Sequence, residues 1–345
     1  LPGPDLTAQT EGVRRQAAIC IDIPNDGEYS KTSFSDYVSD RLGGLQPTAN
    51  PYVSPISGRD MKEYPEYFGG STIPGVPRAA GIRRVIFECV EPLRYIGQAA
   101  LQTDLDNLKA ALHGTAVQEA YLPAVAPGSI EHWLKNGHYP NEEAFLYGIA
   151  DAMHEEYQAI VGAGFILQID DPDLADGWQV HPDHTLAEYR KEAQLRTEVL
   201  NHALRGLPED RVRMHMCWGS YHGPHKYDLP LSEFVDIVLS VHAQAYSIEA
   251  ANPRHNHEWR VWQDVKLPEG KILIPGVVGH YSDFIEHPEL VADRLVQYAG
   301  VVGRQNVIAG TDCGLGTRVG HGKIAWSKLE ALAEGAAIAS RRLWK

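Results

Sequence analysis

His215-Met216-Cys217 sets an imidazole and a thiol two positions apart, and on a strand residues i and i+2 share a face, so both donors can reach one ion. Two further donors close apolar, strand-like runs elsewhere: Glu249 ends the run YSIE, and Cys313 ends IAGTDC. Nitrogen, sulfur, oxygen and sulfur make a tetrahedral set suited to zinc. An H-x-C pair alone is commonly a coincidence of a core cysteine and a hydrogen-bonded histidine. The recurrence of ligand types at the ends of later runs gives this pair its meaning. Zinc in such a mixed site can exchange its weaker oxygen ligand for an incoming thiol, and a zinc-bound thiol loses its proton near neutral pH. Protein thiolates offset the metal charge, so the bound sulfur stays electron-rich enough to attack an alkyl carbon. Two other chemistries compete: hydrolysis by a metal-bound hydroxide, disfavoured because thiolate-rich ligation makes a poor Lewis acid, and a metal-free barrel of the tetrapyrrole-decarboxylating kind.

For these donors to meet, the elements that carry them must converge. Short β-rich runs are predicted at Ile19–Ile23, Val85–Val90, Val117–Leu122, Phe165–Ile169, Val212–Met216, Ala245–Glu249, Ile272–Val277 and Val307–Ala309. Helical stretches lie between them, among them Glu142–Val161, Leu186–Leu204, Ser232–His242, Pro288–Val302 and Ile324–Arg342. Eight such alternations predict an α/β fold of the TIM (β/α)8 barrel type, in which the C-terminal strand ends surround one pocket. Asp26, Glu28, Asp170, His215, Cys217, Glu249, His280, Asp312 and Cys313 all fall at or just after these runs. A doubly wound open sheet is disfavoured, because no Gly-rich phosphate fingerprint follows a strand. The Gly-, Pro- and Tyr-rich stretch at about 43–80 reads as an insertion over the barrel mouth, and Gly219–Leu229 as a second one. The expected organisation is a single catalytic domain over 1–345.

With 345 residues, 43% hydrophobic and 22% charged, the chain is long enough to bury a full core. The net charge of −14, with no run of Lys or Arg, argues against nucleic acid and anionic membranes as partners. No apolar stretch approaches the roughly 20 residues of a membrane helix, and no leader pattern is evident, so a cytoplasmic protein is expected. Four dispersed cysteines are too few for a disulfide framework. Cys20 and Cys89, inside AICIDI and VIFECV, are expected to be buried small hydrophobes.

The stretches DIPNDGEYSKTSFSDYV, FILQIDDPDLADGW, RMHMCWGS, YSIEAANPR, LIPGVVGHYSD and IAGTDCGLGTR, in that order over nearly the whole chain, resemble the C-terminal catalytic barrel of the cobalamin-independent methionine synthase family. The resemblance implies a zinc cofactor on His215, Cys217, Glu249 and Cys313, and contacts from Glu28 and Asp170 to an amino-acid substrate. It implies a small thiol and a methyl or alkyl donor as partners, with a homo-oligomer also allowed. The chain departs from the family in several places. The H-x-G-S-x-P-R-like first strand is not seen whole, with Leu1-Pro2-Gly3-Pro4 a candidate for its tail. The segment that carries a folate-stacking Trp in the family reads LPAVAPG here, and the HSP segment becomes His280-Tyr281-Ser282. No duplicated N-terminal half is present. In that respect the chain is similar to the single-barrel branch near epoxyalkane:coenzyme M transferase, which applies the same zinc-thiolate logic to epoxide opening.

Among the remaining residues, Asp26 could meet a substrate ammonium beside Glu28, although an acidic helix cap would explain either. Asp170 in IDDP could equally form a turn. Trp218 is a candidate for lining the substrate pocket. His280 is a candidate general acid for the leaving group, with Asp312 as a second candidate catalytic residue. His255 and His257 are expected on a solvated loop.

Overall fold

The computed structural model describes residues 6–48, 58–70, 85–316 and 318–345. The chain opens with α1 (Leu6–Ala18), β1 (Leu42–Thr48), the short helices α2 (Gly58–Glu63) and α3 (Pro65–Gly70), β2 (Ile86–Tyr95) and α4 (Gln98–Leu112). A regular alternation follows: β3 (Tyr121–Val125), α5 (Pro127–Trp133), β4 (Leu134–Asn136), α6 (Glu142–Gly162), β5 (Ile166–Asp170), α7 (Asp173–Val180), α8 (Leu186–Ala203) and β6 (Val212–Met216). It ends with α9 (Val235–Val238), β7 (Ala245–Ile248), α10 (Val261–Asp264), β8 (Ile272–Val278), α11 (Pro288–Val302), β9 (Gly310–Thr311) and α12 (Gly322–Leu343).

Six parallel strands run in the order β3-β5-β6-β7-β8-β9, each separated from the next by helical crossovers, which is the arrangement of a TIM barrel. An isolated parallel bridge from Asn25 to Tyr121 extends the wall at its β3 edge. Strands β5 to β8 are buried almost throughout, as strands covered on both faces must be. Register aligns the strand ends: Val125 pairs with Asp170, Asp170 with His215, and His215 with Ser247. Where β8 meets β9 only glycine fits, because a Cβ on Gly276 would sit 2.1 Å from an Asp312 carboxylate oxygen.

Two predicted barrel strands are corrected. Ile19–Ile23 is not a strand: the amides of Ile19, Cys20 and Ile21 bond back to the carbonyls of Arg15, Ala17 and Gln16, and Cys20 takes φ 67 as α1 ends. Cys20 is exposed there, whereas Cys89 is buried as expected. Val85–Val90 falls largely in β2, which pairs antiparallel with β1 and parallel with β4 in a separate three-stranded sheet. An apolar run shows that a strand is buried, and does not show which sheet buries it. At the end of the barrel, Val307 only bridges to Leu273, and the last strand begins at Gly310. Among the described residues, no helix is long and apolar enough to cross a membrane.

Candidate metal centre

His215 and Cys217 leave the end of β6 on one face, and Cys313 follows β9 across the barrel mouth. One ligand atom each from His215, Cys217 and Cys313 lie within 4.8 Å of one another. His215 Nδ1 is 3.4 Å from the Ser247 hydroxyl, which leaves the buried Nε2 without a hydrogen-bond partner. A buried imidazole nitrogen without a hydrogen-bond partner beside two sulfurs fits a thiophilic divalent cation. Ser220 donates to Cys313 Sγ at 3.2 Å. The thiols are electrostatically unequal. The neighbouring Cys217 thiol and the His215 imidazole, working against burial, hold Cys313 well below the usual thiol range. Cys217 is pushed up by that same pairing and by burial. Burial opposes charge on His215, but Cys313, Asp170 and Glu249 together raise it to about 9.

Glu249 belongs to an adjoining group of three: its carboxylate, a His280 nitrogen and an Asp312 oxygen lie within 4.8 Å of one another, all buried. Glu249 accepts from the Trp218 amide at 3.1 Å and from the side-chain amide of Asn252. Asp312 anchors the loop after β7, with one oxygen accepting from the amides of Ala250 at 2.8 Å and Ala251 at 2.7 Å. Its second oxygen and both nitrogens of His280 have no partner. Burial keeps His280 uncharged, lowering it to about 4, and pushes Asp312 well up. The peptide before His280 is clamped from both sides. Glu286 accepts from the Gly279 amide at 2.8 Å, and the buried Lys328 donates to the Gly279 carbonyl at 3.0 Å and to Glu286 at 2.9 Å.

The neighbouring β3–β5 side of the barrel carries the other acidic candidates. Asp26 is buried, accepts from the Glu28 amide at 3.1 Å and is pushed up to about 6 by burial, against the pull of Lys31. Asp170, at the tip of β5, accepts from Gln168 at 2.7 Å and is raised to about 7 by burial, with His215 opposing. Lys31 reaches into this wall, 3.2 Å from a Glu28 oxygen and 2.5 Å from the Pro123 carbonyl.

Trp218 lies in the interior: its ring stacks on His255 at 3.7 Å, and its indole N–H donates to the Leu229 carbonyl at 2.8 Å. His257 is exposed, but His255 is not on a solvated loop. Its ring nitrogens lie 3.0 Å from Asp228 and 3.0 Å from Glu258, so it backs Trp218 and, through the Trp218 amide, Glu249. In the 43–80 stretch, the described α2 and α3 rest on the Gly219–Leu229 loop: Asp60 accepts from Tyr221 at 3.1 Å, and Tyr67 donates to the His222 carbonyl at 3.1 Å. Residues 49–57 and 71–80 of that stretch lie outside the described residues. Sequence reasoning missed Lys31, Asn252, Ser220 and Ser247. Their only signal is closeness in sequence or register to a candidate, as in Lys31 three residues after Glu28.

Residues 130–337 match the family model described as cobalamin-independent synthase, catalytic domain. The chain is 25% identical over 325 residues to a methionine synthase of Thermococcus kodakarensis, covering 94% of this chain and 79% of that one. It is 24% identical over 340 residues to the 5-methyltetrahydropteroyltriglutamate–homocysteine methyltransferase of Vibrio harveyi, covering 96% of this chain and 37% of that one. Among solved structures, the B12-independent methionine synthase from Shewanella sp. W3-18-1, in complex with selenomethionine, superposes with a TM-score of 0.73 at 20% identity. That match covers 98% of this chain and 88% of the other, so the two share the TIM-barrel fold.

Proposed function

Because the chain belongs to the family of cobalamin-independent synthase catalytic domains, we propose that it is a zinc-dependent transferase of the methionine-synthase type, moving a methyl group from a methyl donor to the sulfur of a small thiol. The observation that carries the zinc assignment is the convergence of His215, Cys217 and Cys313 within 4.8 Å around an unpartnered imidazole nitrogen. With Glu249 beside them, these residues would hold the ion. Zinc bound there supplies the acidity that turns an arriving thiol into a nucleophile at neutral pH.

The chain's own residues do the rest. Glu28 and Asp170 receive the ammonium of an amino-acid thiol, with Asp26 behind them, and so fix the direction in which its sulfur points. Glu249 is held in reach by the Trp218 amide and Asn252, contacts that a small movement can exchange for a metal bond. His280, with both nitrogens free of hydrogen bonds, is placed to relay a proton from solvent to the departing group of the methyl donor. Asp312 holds the Ala250–Ala251 turn and keeps Glu249 and His280 in register. The whole of 1–345 acts as one catalytic domain, with α2 and α3 packed on the Gly219–Leu229 loop.

The test is to load the protein with zinc, add homocysteine, measure proton release, and then add a 5-methyltetrahydropteroyl-polyglutamate and measure methionine. The expected result is release of about one proton per bound thiol, followed by methionine formation that stops in Cys217→Ser. Thiol uptake and turnover that persist in the metal-free protein would overturn the reading.

A further inference from the structure

Lys31 sits where a lysine is costly to place. Its side chain is 3% exposed, and its ammonium lies 4.4 Å from the centre of the Tyr37 ring, faced by Asp26, Glu28, Glu156 and Asp170. A buried cation of this kind needs compensation, and it receives two hydrogen bonds: the Pro123 carbonyl at the site end of β3, and one oxygen of Glu28. Glu28 itself is held in an unusual state. It takes φ 54 directly after Gly27 at φ 70, a left-handed pair in which only the glycine is at ease. Three contacts hold that turn: Gly27 donates to Asn25 Oδ1 at 2.7 Å, Glu28 donates to Asp26 Oδ1 at 3.1 Å, and the Lys31 amide donates to the Glu28 carbonyl at 3.0 Å. The strained backbone and the buried ammonium serve one outcome, a Glu28 carboxylate tied down through one oxygen while its side chain stays a third exposed.

We infer that Lys31 is a positioning residue that aims Glu28 and thereby makes the site selective for a thiol carrying an amino group. The inference rests on the thiol-transferase reading and deepens it. Lys31 spends its hydrogen bonds on Pro123 and Glu28, so it offers little to the acid group of a substrate. Against it stand the carboxylates of Asp26, Glu28 and Asp170, an excess of negative charge that suits an incoming ammonium and repels a thiol that is only an anion. Removing the lysine charge while keeping its length frees Glu28 to leave the geometry that an ammonium requires.

The experiment compares homocysteine with 4-sulfanylbutanoate, the same thiol acid without the amino group, by proton release and calorimetry on zinc-loaded protein. Lys31→Met is expected to weaken homocysteine about tenfold or more, the scale of one lost charge-assisted hydrogen bond. It should weaken 4-sulfanylbutanoate far less and leave zinc content unchanged, and Lys31→Arg should restore the preference. Lys31→Met/Glu28→Gln should bind homocysteine no more weakly than Glu28→Gln alone, because the lysine acts through that carboxylate. Equal weakening of both thiols, an unchanged preference in Lys31→Met, or additive effects in the double variant would overturn the inference and leave thiol transfer standing. If the wild-type protein takes up neither thiol, both readings fall.

Discussion

Replacing His255 by glutamine removes a buried charge pair behind the metal centre and exposes it to measurement through pH. His255 is 2% exposed, with nitrogens 3.0 Å from Asp228 and 3.0 Å from Glu258. Burial alone would discourage its charging, but the hydrogen bonds to Asp228 and Glu258 outweigh that and raise it from 6.5 to about 9. The folded protein therefore holds this proton more tightly than the unfolded chain. The stabilisation is fully present below pH 6.5 and is lost as the pH rises through about 9. At about 1.4 kcal/mol per pH unit, the His255 proton stabilises the fold by roughly 3 kcal/mol at the acid end of that window. The depression of Asp228 by His225 and His255 is partly this same interaction seen from its partner, so it adds nothing separate. Urea unfolding of wild type and His255→Gln at pH 6, 7.5 and 9.5 should show a stability gap that narrows by about 2–3 kcal/mol across the series. A gap that stays constant with pH would show that His255 packs against Trp218 as a neutral ring, and the charge-pair account would be wrong.

Cys217→Ser and Cys313→Ser should each abolish stoichiometric zinc by elemental analysis while circular dichroism stays that of the wild type. Ser247→Ala removes the hydroxyl 3.4 Å from His215 Nδ1 and should weaken zinc about 10–100-fold in a chelator competition, as loss of an outer-shell partner does. Asp312→Ala strips two buried amides of their acceptor and should cost about 2–4 kcal/mol in urea unfolding, whereas Asp312→Asn keeps an acceptor oxygen and should cost less than half of that.

Donor chemistry and strand identity were legible from sequence because both are local properties. H-M-C on an apolar run sets two donors on one face whatever surrounds it, and β6 spans Val212–Met216 as predicted. The grouping of donors was not legible, because it depends on register and loop path between strands far apart in the chain. Glu249 ends its strand-like run as expected, yet the loop anchored by Asp312 gathers it with His280 and Asp312 beside the sulfur-bearing trio. Val85–Val90 has the composition of a barrel strand, and only its pairing with β1 and β4 reveals a separate sheet. Lys31 and His255 look solvated in a linear reading, since charge and polarity predict exposure unless a partner is known. The partners are Glu28 and Pro123 for Lys31, Asp228 and Glu258 for His255, and only the closing of the barrel brings Pro123 and Asp228 within hydrogen-bonding distance. Residue types set what chemistry the chain can perform; tertiary contacts decide which of those groups share a site, because interactions of a few ångströms are settled by folding across hundreds of residues.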